Sequence, residues 1–197
     1  MFIEQKRLVK EIALCSLFAS LVAAGSFIKI NTPWMVPFTL QFPISNAAAL
    51  ILGGRLASLS IITYVLVGLM GFPIFSCGGG FGYIFKPTFG YILGFIFGSY
   101  VCGTIIEKFK TESLTVMIIA SFINLTIVHF FGVLYGYLIM NYYLDIQKKL
   151  IYFLINWSMI FLPSDFLLCV LSSIISKKIK MFRVIEFKNK GLKNTKI

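Results

Sequence analysis

Gly71-Phe-Pro-Ile-Phe-Ser-Cys-Gly-Gly-Gly-Phe-Gly-Tyr-Ile-Phe-Lys-Pro-Thr-Phe-Gly-Tyr-Ile-Leu-Gly94 is the irregular centre of an otherwise apolar chain. One hydrophobic run ends before it and another begins inside it. Pro73 and the glycines Gly78, Gly79, Gly80 and Gly82 separate them, and Lys86, just before Pro87, is the lone cation. Glycine admits positive φ and lets backbone approach a ligand closely; proline fixes φ and restricts the residue before it. Irregular backbone is tolerated in water, or at membrane depth only where it is packed in protein or lines a cavity. The stretch reads either as a plain extracytoplasmic loop or as a loop folded over a ligand pocket, and its residues favour the second.

Outward from this loop, 58% of the 197 residues are hydrophobic and the mean hydropathy is +0.91. That composition lies outside the soluble range and predicts an all-α polytopic membrane protein. A span needs ~20 apolar residues, so the length accommodates about six spans with short loops. The expected organisation is one membrane domain over 1–197: a six-transmembrane-helix bundle over about 10–180 and a basic cytoplasmic tail over about 177–197. The net charge of +11 would suggest nucleic acid in a soluble protein. Here the cations flank the apolar runs, so they read as topology determinants and contacts to membrane lipid, with no nucleic-acid partner expected. Cys15, Cys77, Cys102 and Cys169 show no C-x-x-C spacing, His129 is the single histidine, and no G-x-x-x-x-G-K-[ST] occurs. Neither a disulfide framework, a metal site, a cofactor nor a resident P-loop follows.

In chain order, a basic start (Lys6, Arg7, Lys10) precedes an apolar run from Ile12 to about Ile28. A signal peptide with Ala23-Ala24-Gly25-Ser26 as cleavage site is the lesser reading, and a first span the greater. Ala19 and Ala23, and Ser16, Ser20 and Ala24, are small residues at helical spacing, suited to internal packing or to a partner helix. The segment from Asn31 to Pro43 carries three prolines (Pro33, Pro37, Pro43), with Trp34 suited to an interface. Thr39, Gln41 and Asn46 bring neutral hydrogen-bonding groups to the next, short run, Ile44 to Leu52, and Gly53-Gly54-Arg55 turns the chain into a third span, Leu56 to Met70. A fourth span is expected from Phe89 to Ile106 and a fifth from Leu114 to about Met140, containing Asn124 and His129. Leu150 to Leu162 reads as a short helix or re-entrant piece over the mouth. The sixth span starts at Ser164-Asp165, either of which can cap it. With the N-terminus inside, all 18 Lys and Arg fall on the inner side except Lys29, Lys86, Lys148 and Lys149, as the positive-inside rule favours. Both termini are then cytoplasmic, and the Pro-rich segment, the Gly-rich loop and the start of the sixth span meet on the outer side.

The chemistry available there is specific. Asp165 is the outward acid at a span; beyond capping, an ionised carboxylate accepts hydrogen bonds from ligand N–H groups. Lys86 is either a solvated loop charge or the partner of a ligand carboxylate. Phe38, Tyr83, Phe85, Tyr91 and Trp157 supply apolar walls. A ligand with N–H donors, an apolar body and an anionic end matches this set.

Val36-Pro-Phe-Thr-Leu-Gln41, Gly68-Leu-Met-Gly-Phe-Pro-Ile-Phe75, the glycine cluster, Pro87-Thr-Phe-Gly-Tyr91 and Phe161-Leu-Pro-Ser-Asp165 occur in that order. Together they resemble the BioY family, the biotin-specific substrate-capture (S) components of energy-coupling-factor (ECF) transporters, over about residues 10–180. The resemblance implies a six-helix membrane bundle in the cell membrane holding biotin near the outer face. It also implies, as partners, a transmembrane coupling subunit and two ATPase subunits, with no enzymatic activity in this chain. On it, Asp165 accepts the ureido N–H groups, Thr39, Gln41 and Tyr91 line the ligand site, and Ala19 and Ala23 dock the coupling subunit; Tyr83 and Asn124 are further candidate ligand residues from the reading of the chain. The chain departs from the family pattern at Ser164 (commonly Gly), Leu168 (commonly Lys), Lys86 (commonly Gly) and Phe89 (commonly Gly). Lys86 is the expected replacement for the missing Lys as anion contact. The competing readings are an S component for lipoate or pantothenate, a scaffold or channel subunit, and an intramembrane enzyme using His129 and Asp165. The last is disfavoured because His129 is expected near mid-span and Asp165 near the outer end, out of reach of one reacting atom.

Overall fold

The computed structural model describes residues 2–194 apart from 32, 34, 35 and 110–112, with side chains described over 4–181. The expectations for Trp34, Lys110 and Glu112, and for the tail cations Arg183, Lys188, Lys190, Lys193 and Lys196, lie outside the described residues or side chains. Helix α1 (Phe2–Phe27) is followed by a two-stranded antiparallel ribbon, β1 (Lys29–Ile30) and β2 (Phe38–Thr39), with Lys29 opposite Thr39 and Ile30 opposite Phe38. Then come α2 (Gln41–Leu52), α3 (Gly54–Leu69), a single 3-10 turn (Phe81–Phe85), α4 (Phe89–Phe109) and α5 (Leu114–Leu138). Last are α6 (Leu150–Phe153), continued by a π-helical turn (Leu154–Met159), and α7 (Leu162–Asn194).

Helix boundaries follow backbone chemistry. Helix α1 starts ten residues before the apolar run, because Lys6 to Glu11 is good helix-forming sequence and Arg7 pairs with Glu11 one turn on at 2.9 Å. Among the described residues α1, α4 and α5 are each long and apolar enough to cross a membrane. The pair 150–159 and 162–181 makes a fourth such unit, bent by 42°. Helices α2 and α3, with 12 and 16 residues, are shorter than a full span. Gly53, at φ 86°, makes the turn between them. The bend before α7 lies where the π-helical turn ends and Pro163 begins the next helix, in the first turn where no N–H is needed. Helix α7 therefore starts at Leu162, two residues before the expected Ser164. Ser164 Oγ and Asp165 N both donate to Phe161 O, so the expected capping role falls away and the Asp165 carboxylate is left for tertiary contact.

The tightest helix pair is α4 on α5. Gly90, Gly94 and Gly98, four residues apart, present a side-chain-free face. A Cβ at Gly94 would lie 2.7 Å from Val128 Cα, and one at Gly90 2.6 Å from Phe131 O. Close helix approach at small residues is the usual means of association in lipid, where apolar side chains gain nothing by leaving the solvent. The pairing fixes Tyr91, Ile92 and Phe95 of α4 against Leu125, Val128 and His129 of α5, which is where a cavity opens.

Candidate functional site

A cleft lies among α2, α4, α5 and α7, the kind of interhelical position at which small-molecule sites occur in bundles. Phe95 and Leu125 lie deepest along their helices. Ser76, Tyr83 and Thr88 of the Gly-rich segment, Val36 to Thr39 of the ribbon segment, and Trp157 and Phe161 complete its lining. Two α5 glycines seat the aromatic walls: the Tyr91 ring lies on Gly132 and the Trp157 ring on Gly136. Any larger residue at either position would push a wall into the cleft.

The polar groups are fixed by a connected set of hydrogen bonds. Thr39 Oγ1 donates to Gln41 Oε1 at 3.2 Å, Gln41 Nε2 donates to Tyr64 Oη at 2.5 Å, and Tyr64 Oη donates to Ile74 O at 3.1 Å. Ser26 Oγ reaches the same Ile74 carbonyl at 2.6 Å. The relay ties α1, α2 and α3 to the Gly-rich loop. The loop itself turns on Gly71, Gly78 and Gly80, at φ 114°, 114° and 89°, values that an L side chain resists. Phe75 is buried beneath it, edge-on to Tyr64 and in contact with Tyr83. Tyr83 Oη stands 3.3 Å from both Ser76 Oγ and Thr88 Oγ1. Burial pushes the Tyr83 phenol above its ordinary pKa, only partly offset by these hydroxyls, so it remains neutral.

Asp165 and His129 face each other across the cleft wall. His129 Nε2 lies 3.1 Å from Asp165 Oδ2, with the side chains 9% and 14% exposed. In the tautomer protonated at Nε2 the ring donates and the carboxylate accepts. Asp165 Oδ1 has no protein partner among the described residues. His129 Nδ1 and Trp157 Nε1 are buried without a protein partner. Groups of this kind cost free energy unless a ligand or water satisfies them. The expectation that His129 and Asp165 lie at different depths is corrected: the bend at Pro163 brings the first turn of α7 down to the level of His129.

Of the sequence-predicted ligand residues, Asp165, Tyr91, Thr39, Gln41 and Tyr83 line the cleft. Lys86 and Asn124 do not. The Lys86 ammonium donates to Cys77 O at 2.5 Å and sits 5.0 Å from the Tyr83 ring centroid, held on the loop rather than among the lining side chains. Asn124 is fully buried in a network below the cleft, where its Nδ2 donates to Asn46 Oδ1 at 2.9 Å. Asn46 Nδ2 in turn donates to Ser121 Oγ and Ser172 Oγ at 2.8 and 2.7 Å. The Tyr91 hydroxyl is already engaged, donating to Trp157 O at 2.6 Å, and so holds the π-helical turn over the cleft. On α1, Ala19 is buried in the core and Ala23 is half-buried against it, whereas Ser16, Ser20 and Ala24 are exposed. Ala19 thus shows internal packing, one of the two expectations for these small residues, and the exposed small-residue face is the one through Ser16, Ser20 and Ala24. Ser76, Thr88 and Tyr64 carry no signal in the sequence, because nothing in their local spacing distinguishes a site hydroxyl from an ordinary one in a helix or loop.

Comparison with known proteins agrees with this geometry. The profile of the BioY family matches residues 3–184. The "Probable biotin transporter BioY" of Lysinibacillus sphaericus is 35% identical over 180 residues, 87% of this chain and 88% of that protein. The "Biotin transporter BioY" of Thermotoga maritima is 32% identical over 181 residues, 89% of this chain and 99% of that protein. Among solved structures, the S-component for biotin from an ECF-type ABC transporter superposes with a TM-score of 0.76 at 22% identity, over 89% of this chain and 93% of that one, and so shares the fold. With the ordered motifs, the interhelical cleft and the match over nearly its whole length, this chain belongs to the BioY family.

Proposed function

We propose that this chain captures biotin at the outer face of the plasma membrane as the S component of an ECF-type uptake transporter. The observation that carries the reading is the half-occupied carboxylate of Asp165, a residue that lines the aromatic-walled cleft: His129 takes Oδ2, and Oδ1 has no protein partner among the described residues. A cyclic urea offers N–H donors to such an oxygen, and charge-assisted hydrogen bonds of this type are the strong ones. Phe38, Phe95, Trp157 and Phe161 supply apolar surface for the fused rings, and Thr39, Gln41 and Tyr83 a polar outer margin. The ligand-binding residues on this reading are Asp165, Tyr91, Thr39, Gln41 and Tyr83. Tyr91 acts through its ring and by fixing Trp157. Both termini lie in the cytoplasm, α1, α2, α3, α4, α5 and α7 form the membrane bundle, and lipid surrounds it. A separate module of one coupling subunit and two ATPases drives release inside; the exposed face through Ser16, Ser20 and Ala24 suits the coupling subunit.

The experiment is a titration of the purified chain in detergent with biotin, with lipoate and pantothenate as competitors. Saturable, near-stoichiometric biotin binding that neither competitor displaces is expected. A folded chain that binds lipoate or pantothenate in preference to biotin would overturn the ligand, and one that binds none of the three would overturn the capture function.

A further inference from the structure

Two ammonium groups are moored to consecutive backbone carbonyls of the Gly-rich loop, the first of them on cleft-lining Ser76: Lys29 Nζ to Ser76 O at 2.6 Å and Lys86 Nζ to Cys77 O at 2.5 Å. Among the described residues the acid–base side-chain pairs are Arg7–Glu11 and His129–Asp165, so neither lysine has a carboxylate partner. Like charges gathered without acid raise a positive potential at the place where a ligand enters. Inside, no Lys or Arg is among the lining residues, and the one carboxylate there, Asp165, repels an anion. An anionic ligand seated with its charge inward would bury that charge unpaired, which is costly. Its charged end therefore belongs outward, at the lysines.

The two lysines are not equivalent. Lys29 lies on β1 directly opposite Thr39, and both Thr39 and Ser76, whose carbonyl it holds, line the cleft. Neither lysine is itself among the lining residues, but Lys86 holds the carbonyl of exposed Cys77, which does not line the cleft either. We propose that Lys29 is the specificity-determining residue for the anionic end of the ligand, an ammonium spanning the mouth from ribbon to loop. An ammonium has three N–H donors, so Lys29 can retain Ser76 O and still donate to a carboxylate. This deepens the biotin reading and rests on it: the ring system points inward to Asp165, and the carboxylate of the side chain points outward to Lys29. The same contact ties the ribbon to the Gly-rich loop more firmly when the ligand is present.

Biotin and biotinamide, its neutral carboxamide, separate the charge from the shape. The purified chain in detergent is titrated with each, and Lys29→Met and Lys86→Met are compared with the unaltered protein. The unaltered chain is expected to prefer biotin over biotinamide by roughly 10–100-fold, the scale of one charge-assisted hydrogen bond. Lys29→Met should lose that preference by weakening biotin alone, and Lys86→Met should keep it. A Lys29→Met protein that retains the preference overturns the assignment. So does equal weakening of both compounds, which would make Lys29 a strap between loops, or loss of the preference in Lys86→Met instead. An unaltered chain that binds both compounds equally well overturns the Lys29 assignment while leaving the biotin reading intact. One that binds neither overturns both.

Discussion

His129 Nε2 and Asp165 Oδ2 stand 3.1 Å apart across 36 residues of sequence, the one imidazole–carboxylate contact between two helices among the described residues. The pair locks α5 to the first turn of α7 and orients the carboxylate at the cleft wall. Asp165→Asn keeps the shape and removes the charge, so biotin affinity should fall by about 1.5–3 kcal/mol, measured calorimetrically. Normal affinity would reduce Asp165 to a structural partner of His129. His129→Leu should weaken binding as well, because it frees the carboxylate to turn. His129→Gln, which retains a donor, should lose less, and equal losses would argue against an orienting role.

Below the cleft, Asn46 joins α2 to α5 and α7 through Ser121, Ser172 and Asn124. Every member is buried, so Asn46→Ala strands several polar groups at once, each costing about 1–3 kcal/mol when unsatisfied. A marked fall in thermal stability in detergent is expected. Asn46 does not line the cleft, so biotin affinity measured well below the transition should persist.

The α4–α5 seam offers a packing test. Gly94→Val would force its branched side chain against the Val128 backbone, an overpacking worth about 1–3 kcal/mol or more. Both stability and biotin affinity should drop, since the seam carries two walls of the cleft. Gly82→Ala is the contrast: its Cβ would meet nothing within 4 Å, and both quantities should stay near those of the unaltered chain.

On α1 the two small-residue faces should respond differently. Ala19→Leu adds volume to a buried core position and should destabilise the purified chain by about 1–3 kcal/mol. The double change Ser20→Leu and Ala24→Leu lies on the exposed face and should leave folding and biotin binding intact while abolishing cellular uptake with the energising module. Full uptake by that double variant would place the coupling surface elsewhere.

Much of the architecture is legible in the amino-acid sequence. The order of apolar runs, the hairpin at Gly53, the broken segment before Pro163 and the Gly-rich loop all follow from local chemistry. Glycines at 71, 78 and 80 occupy positive φ because the loop must turn sharply over Phe75, and that requirement is visible as a glycine cluster. Five of the predicted ligand residues line the cleft because they sit in short motifs whose neighbours fix their direction. Asn124 and Lys86 depart from expectation for one reason each: an interior asparagine serves a structural network as readily as a ligand, and a long lysine side chain finds the nearest free carbonyl.

Composition alone settles the class of this protein, because a bilayer demands that each apolar run satisfy its own backbone hydrogen bonds and so become a helix. Motif order settles the family, since no packing can alter it. The rotation of the helices, by contrast, emerges only in the assembled bundle. In lipid both faces of a helix are apolar, so hydrophobic periodicity does not mark the inward side and does not tell Ala19 from Ala24. Nor does it reveal that the first turn of α7 descends to His129, that Asn46 meets Asn124, or that Lys29 reaches the carbonyl of cleft-lining Ser76. Those meetings depend on close approach at Gly90, Gly94 and Gly98 and on the 42° bend before α7, which arise when the helices pack against one another.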